Sequence, residues 1–159
     1  MRIIVFSDSH GSYAALKHIV SNNLSADIFI HLGDGERELD RIVTEYPDKN
    51  FHHVKGNCDY ASFSDSVLML FLGGNHKLFA THGHTMGVKY STDKIVETAR
   101  ANGADIVLFG HTHASCRSYC DGLYILNPGS CSCPRDGKPP SYGFIDVTDS
   151  GIFTAIVTL

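Results

Sequence analysis

The sequence predicts an α/β fold in which two mixed β-sheets pack face to face with helices outside. Three observations point there. Short apolar runs alternate with stretches of helical period through the first half of the chain, the pattern of parallel strands joined by right-handed crossovers. The second half carries pairs of apolar runs separated by tight turn residues, which add antiparallel strands. Finally, five clusters of potential metal ligands each directly follow an apolar run, as the loops at the carboxyl ends of neighbouring parallel strands do when they open onto one crevice.

Ile3–Phe6 opens the chain as a buried strand that runs into Ser7-Asp8. After Ser12, the residues Ala15, Leu16, Ile19 and Val20 share one helical face. Ile28–Leu32 is the second strand, closed by Gly33-Asp34, and Leu39, Ile42, Val43 and Tyr46 after Gly35 mark the second helix. Phe51–Val54, interrupted by His52 and His53, is the third strand and leads to Gly56-Asn57. Val67–Leu72 and His76–Thr81 flank Gly73-Gly74-Asn75 and read as a hairpin. Ile95, Val96 and Ala99 form a third helix with both ends marked. Ser91 or Thr92 can cap it, Asp93 sits in its first turn, and Asn102-Gly103 supplies a left-handed stop. Ile106–Phe109 is a strand before Gly110-His111, and Tyr142–Val147 with Ile152–Leu159 flank Asp149-Ser150-Gly151 as a last hairpin. The Pro/Gly-rich stretch from Pro134 to Gly143 reads as a loop, so residues 1–159 are expected to form a single domain.

At 159 residues the chain can bury roughly 70% of its unfolded surface in one core. Its 13 basic and 17 acidic residues give a net charge of −4 and no polybasic face, which argues against coating duplex nucleic acid or binding a membrane surface. No apolar run nears transmembrane length, and the first residues lack the features of a signal peptide, so a cytoplasmic protein is expected. Five cysteines (58, 116, 120, 131 and 133) are an odd number and are expected as free thiols. Neither Cys131-Ser132-Cys133 nor the Cys116–Cys120 spacing matches a structural zinc pair.

The chemistry lies in Asp8, His10, Asp34, Asn57, His82, His111 and His113. Asp8 with His10, and His111 with His113, are two residues apart, so both members of each pair can point one way from a non-helical turn. Four imidazoles, two carboxylates and an amide suit manganese, iron, nickel or zinc rather than copper(I) or an iron–sulfur cluster. Seven ligands exceed one tetrahedral ion and fit two ions that share a bridging carboxylate. For His18, His31, His52, His53 and His76 the expectation is the ordinary one of surface or hydrogen-bonded core residues.

Taken in order, Asp8-Ser9-His10, Gly33-Asp34, Gly56-Asn57-Cys58-Asp59, His82-Gly83-His84 and Gly110-His111-Thr112-His113 resemble the motifs of calcineurin-like metallophosphoesterases. The small size and Asn127-Pro128-Gly129-Ser130, followed by Pro134-Arg135, resemble most the compact bacterial and archaeal phosphodiesterase branch, which is also similar to a retromer subunit. The resemblance implies a four-layer α/β sandwich, two facing mixed β-sheets flanked by helices. It also implies that Asp8, His10 and His113 hold one divalent ion, that Asn57, His82 and His111 hold the other, and that Asp34 bridges them. Manganese is the first expectation, with nickel, zinc or iron as alternatives. The implied reaction is hydrolysis of a small or exposed phosphodiester by in-line attack of a bridging hydroxide. Many family members carry His where this chain has Cys58, a poor general acid for an alkoxide. Asp59 and His84 are candidates to take over proton transfer, and Arg135 is the candidate cation for substrate. A turnover-free interaction scaffold and a phosphomonoesterase are the competing expectations.

Overall fold

The computed structural model describes residues 1–159, and every strand and helix anticipated above forms. In chain order they are β1 (Arg2–Phe6), α1 (Tyr13–Ser21), β2 (Ile28–His31), α2 (Glu36–Glu45), β3 (Phe51–His53), β4 (Val67–Phe71), β5 (Lys77–Thr81), α3 (Asp93–Ala101) and β6 (Ile106–Phe109). They are followed by β7 (Cys116–Cys120), β8 (Leu123–Asn127), β9 (Ser141–Thr148) and β10 (Gly151–Thr158).

One sheet has the order β10-β9-β1-β2-β3, with β1, β2 and β3 parallel and the β9–β10 hairpin antiparallel beside β1. The other has the order β4-β5-β6-β8-β7, with β5, β6 and β8 parallel. Side chains alternate across each sheet, and that alternation builds the layers. Ile3, Val5, Ile28 and Ile30 face Leu78, Ala80, Ile106 and Leu108 between the sheets. Their neighbours Ile4, Phe6 and Phe29 point the other way onto Leu16, Ile19 and Val20 of α1 and Leu39 and Ile42 of α2. On the far side, Phe79, Val107 and Phe109 pack against Ile95 and Ala99 of α3. The result is helix, sheet, sheet, helix, as the apolar period implied.

The helix ends follow local chemistry. Ser12 Oγ accepts from the Ala15 N–H at 3.4 Å, and Ser91 Oγ accepts from the Asp93 N–H at 3.0 Å. Gly103 (φ +69°) turns the chain out of α3, and the Ala104 N–H closes on the Ala99 carbonyl.

The β7–β8 hairpin is an addition to the sequence reading. β7 is Cys-Arg-Ser-Tyr-Cys, exposed along its whole length at a sheet edge, so no alternation of apolar residues announces it. Its signal is the two-residue turn Asp121-Gly122, both at positive φ (+47° and +82°), the Asp-Gly pair that matches strand twist.

Candidate metal centre

Backbone ladders continue past the strand ends and bring the ligand loops together. The Asp8 N–H donates to the Gly33 carbonyl and the His10 N–H to the Asp34 carbonyl, both at 3.0 Å, and the Gly110 N–H donates to the His82 carbonyl at 3.1 Å. The loops are tight. Seven residues other than glycine have positive φ, and five of them are Asp8 (+54°), His10 (+42°), Asp34 (+60°), His111 (+66°) and His113 (+56°). Such backbone costs of order 1 kcal/mol or more per residue and concentrates where function holds it. The glycines preceding the ligands allow close approach: a Cβ on Gly56 would lie 2.1 Å from Asp34 Oδ1, and one on Gly33 would lie 2.6 Å from the Gly56 nitrogen.

Two groups of donor atoms result, Asp8 with His10 and His113, and Asp34 with His82 and His111, each within 4.8 Å. In the first, His113 Nε2 lies 3.2 Å from Asp8 Oδ1 and 3.1 Å from His10 Nε2. In the second, His82 Nε2 lies 3.4 Å from Asp34 Oδ2, 3.2 Å from His111 Nδ1 and 3.2 Å from Asn57 Oδ1. Asp34 Oδ2 is also 3.9 Å from His10 Nε2, so this carboxylate stands between the groups.

The partners behind these atoms set their orientation. His82 Nδ1–H donates to the Leu32 carbonyl and His113 Nδ1–H to the Cys133 carbonyl, both at 2.7 Å, which leaves each Nε2 lone pair facing inward. Asp8 Oδ2 accepts from Ser7 Oγ and from the His111 N–H, and Asp34 Oδ1 accepts from the Cys58 N–H. The other oxygen of each carboxylate is left for the site. Asp8 Oδ1 is buried and has only imidazole nitrogens near it, that of His113 at 3.2 Å. His82 Nε2, His111 Nδ1 and Asn57 Oδ1 also converge on one another, an arrangement that a metal ion between them would satisfy. The donor set therefore fits divalent ions.

Charge at the centre is already biased. Burial alone would raise the Asp8 and Asp34 carboxyls, but His113 and His82 respectively, helped by hydrogen bonds, hold both below the ordinary carboxylate range. Burial, together with the nearby His82, pushes His111 down to about 4, so this imidazole is neutral at pH 7 and its lone pair is free.

The remaining residues singled out by sequence divide. Cys58 Sγ joins His10 and Asp34 in a third cluster at the mouth, and burial with the Asp34 charge raises its thiol pKa. His84 packs beside His82 (ring centroids 5.4 Å) and His111 (6.0 Å), is kept neutral chiefly by burial, and has an unpartnered Nδ1. Arg135 is exposed, with its N–H on the His113 carbonyl at 2.9 Å. Asp59 is corrected. Its carboxylate accepts four backbone N–H groups, those of Asp34, Gly35, Glu36 and Gly56, at 2.7–3.1 Å. Held ionised by these donors in spite of its burial, it has no proton to give and serves to fasten the Asn57 loop to the Asp34 loop.

The Asn127-Pro128-Gly129-Ser130 motif, which the sequence tied only to a branch of the family, has a supporting role. Asn127 Nδ2 donates to the Gly110 carbonyl and to Thr112 Oγ1, while Ser130 Oγ and Ser132 Oγ both donate to the Asp8 carbonyl, so the Asn127–Ser132 segment braces two ligand loops. His31, read as a core residue, is one: fully enclosed, it contacts Ser9 Oγ at 3.2 Å, and Ser9 in turn donates to Glu38. His53 lies against Glu36 and Ser64, and His76 against Asp105, away from the donor groups.

Residues 1–150 match the family model of the calcineurin-like phosphoesterase superfamily domain. The chain belongs to that superfamily. Among its phosphoesterase relatives, it is 35% identical over 147 residues to the probable metallophosphoesterase YsnB of Bacillus subtilis, covering 91% of this chain and 83% of that one. It is 30% identical over 170 residues to the phosphodiesterase YfcE of Escherichia coli, covering 92% and 88%. A crystal structure of a predicted phosphoesterase from Streptococcus pneumoniae superposes with TM-score 0.86 at 30% identity, over 99% of this chain and 88% of that chain. The retromer subunit Vps29 of Entamoeba histolytica shares the fold (TM-score 0.75, 22% identity, coverage 100% and 99%). A divalent-metal centre is the family's chemistry, and the two donor groups are where this phosphoesterase can hold it. No helix is long and apolar enough to cross a membrane.

Proposed function

We propose that this phosphoesterase is a dinuclear phosphodiesterase, with Asp8, His10 and His113 at one ion, Asn57, His82 and His111 at the other, and Asp34 between them. The observation that carries the reading is the set of six donor residues around Asp34, with the Nδ1–H groups of His82 and His113 fixed and the buried Asp8 Oδ1 aimed inward. An inert scaffold of this fold needs none of that arrangement, and strained backbone at five ligand positions would have no return in it.

Bound there, two divalent ions, manganese by first choice, would acidify a shared water and neutralise the phosphoryl oxygens. The chain's own contribution is orientation. Asp34 and Asp8 present one oxygen each because their others are engaged, and His111 and His84 stay neutral, so His84 offers hydrogen bonding to a substrate oxygen instead of a fixed charge. Arg135 at the rim supplies a guanidinium for a non-bridging oxygen. Cys58, with its thiol pKa raised, gives little protonation to a leaving oxygen, which favours phosphodiesters with good leaving groups over monoesters.

The test is hydrolysis of bis(p-nitrophenyl) phosphate and p-nitrophenyl phosphate by chelator-stripped protein, with manganese, nickel, zinc and magnesium restored singly. Metal-dependent turnover that prefers the diester, and that is lost in His82→Ala and Asp34→Asn while circular dichroism is unchanged, is the expected result. Equal turnover in either variant refutes the site.

A further inference from the structure

Beside the metal centre lies a cleft of about 930 Å³ whose inner wall includes His10, Asp34 and Cys58 and whose outer wall carries Tyr60 and Phe63. The two aromatic side chains lie almost wholly in solvent, Tyr60 91% exposed and Phe63 completely so. Their loop is nevertheless built firmly. Asp59 anchors its start through four backbone N–H groups, and Ser62 and Ser64 both donate to the Glu36 carboxylate, at 2.9 and 2.8 Å. The Ser62 N–H closes a turn on the Asp59 carbonyl, and the Lys55 N–H ties down Asp65. A braced loop thus holds two apolar rings out of the core, next to a site that binds a phosphoryl group.

Charge identifies the occupant. The cleft is lined by five carboxylates, Asp34, Glu36, Glu38, Asp40 and Asp59, against the single guanidinium of Arg37. A substrate arm carrying further phosphates is repelled there, whereas a neutral planar ring is not and has the exposed Tyr60 and Phe63 rings of the lining available to it. Resting on the phosphodiesterase reading above, we propose that Tyr60 and Phe63 form a stacking subsite for a neutral aromatic or heteroaromatic group, such as a nucleobase, borne by the phosphodiester. The metal centre takes the phosphate, and the cleft selects what is attached to it.

The experiment is calorimetric titration of manganese-loaded protein with adenosine 5′-monophosphate and with ribose 5-phosphate, which share the sugar phosphate and differ at C1, where the base replaces a hydroxyl. Stacking on exposed aromatic side chains adds roughly 5- to 150-fold in affinity per base, and about tenfold is expected here. In the Tyr60→Ala/Phe63→Ala double variant the ratio should fall to within twofold. Equal affinity of the two ligands for the wild type, or an undiminished ratio in the double variant, overturns the subsite. Failure of the underlying reading looks different: ribose 5-phosphate then does not bind and bis(p-nitrophenyl) phosphate is not hydrolysed. In that event saturation-transfer NMR with free adenosine decides the subsite alone. Transfer to the base protons that disappears in the double variant upholds it, and no transfer to wild type refutes it.

Discussion

Replacing Asp59 by Asn separates the two roles that its position allows. The carboxylate sits at the amino end of α2, where Gly35 has no side chain to cap the helix, and accepts the N–H groups of Gly35 and Glu36 from 23 to 24 residues away in sequence. Its other oxygen takes Asp34 and Gly56. An amide of the same shape keeps one acceptor oxygen and turns two N–H donors toward two backbone donors at 2.7–3.1 Å, whichever way it is flipped. Two charge-assisted bonds are lost, at roughly 1.5–3 kcal/mol each, and partial solvation of this half-buried site brings the expected cost to about 2–4 kcal/mol. Urea unfolding of chelator-stripped Asp59→Asn should show that loss with an unchanged m-value. Divalent-ion affinity should also fall, because the candidate ligand Asn57 is two residues from the displaced anchor. A general-acid role predicts the opposite signature, normal stability with an altered pH–rate profile. A variant within about 0.5 kcal/mol of wild type would refute the fastening argument.

Gly56→Ala places a methyl 2.1 Å from Asp34 Oδ1 and should abolish metal binding measured by calorimetry while a folded spectrum persists; wild-type affinity would show that the approach of the two loops can relax. His31 supplies a pH dependence. Burial above all holds its pKa at about 4 against 6.5 for an exposed imidazole, so the unfolded chain takes up a proton between those values that the folded chain refuses. Stability is therefore retained above pH 6.5 and lost as pH falls toward 4, by about 3 kcal/mol from this group. The difference in unfolding free energy between wild type and His31→Gln isolates it from His82 and His113, whose raised pKa values act in the opposite sense, and a difference flat from pH 7 to 4 contradicts the argument. Cys58→His puts an imidazole at the mouth beside His10 and Asp34 and should raise p-nitrophenyl phosphate turnover relative to the diester; an unmoved ratio removes position 58 from specificity.

Much of the fold could be read in advance because its layers rest on local periodicity. Ile3 and Val5 inward with Ile4 and Phe6 outward is an alternation any strand buried on both faces must fill with apolar side chains, and helices then cover the outer set. The β7–β8 hairpin escaped because an exposed edge strand is under no such pressure: all five residues of β7 are exposed, and only Asp121-Gly122 carries conformational information. The metal donors were legible for a separate reason. The candidate clusters all lie just beyond strand ends, so strand prediction and cluster prediction support one another.

The roles of the groups that hold and surround those donors were not legible, and the physics explains the difference. A ligand must have one of a few donor chemistries, whereas a supporting hydrogen bond can come from any polar side chain at any sequence distance. Ser130 reaches Asp8 across 122 residues, and Asn127 reaches Gly110 across 17. Asp59 shows the consequence most directly: lying two residues after a ligand, it invites a chemical role, and only the four donors converging on it reveal that its charge is already spoken for. The same holds for Tyr60 and Phe63. In sequence they are two aromatic residues among sixteen, and nothing distinguishes them from core residues until the loop is seen braced at Asp59, Ser62 and Ser64 with both rings turned outward over the cleft. The proposed stacking subsite thus rests on which apolar groups the fold declines to bury.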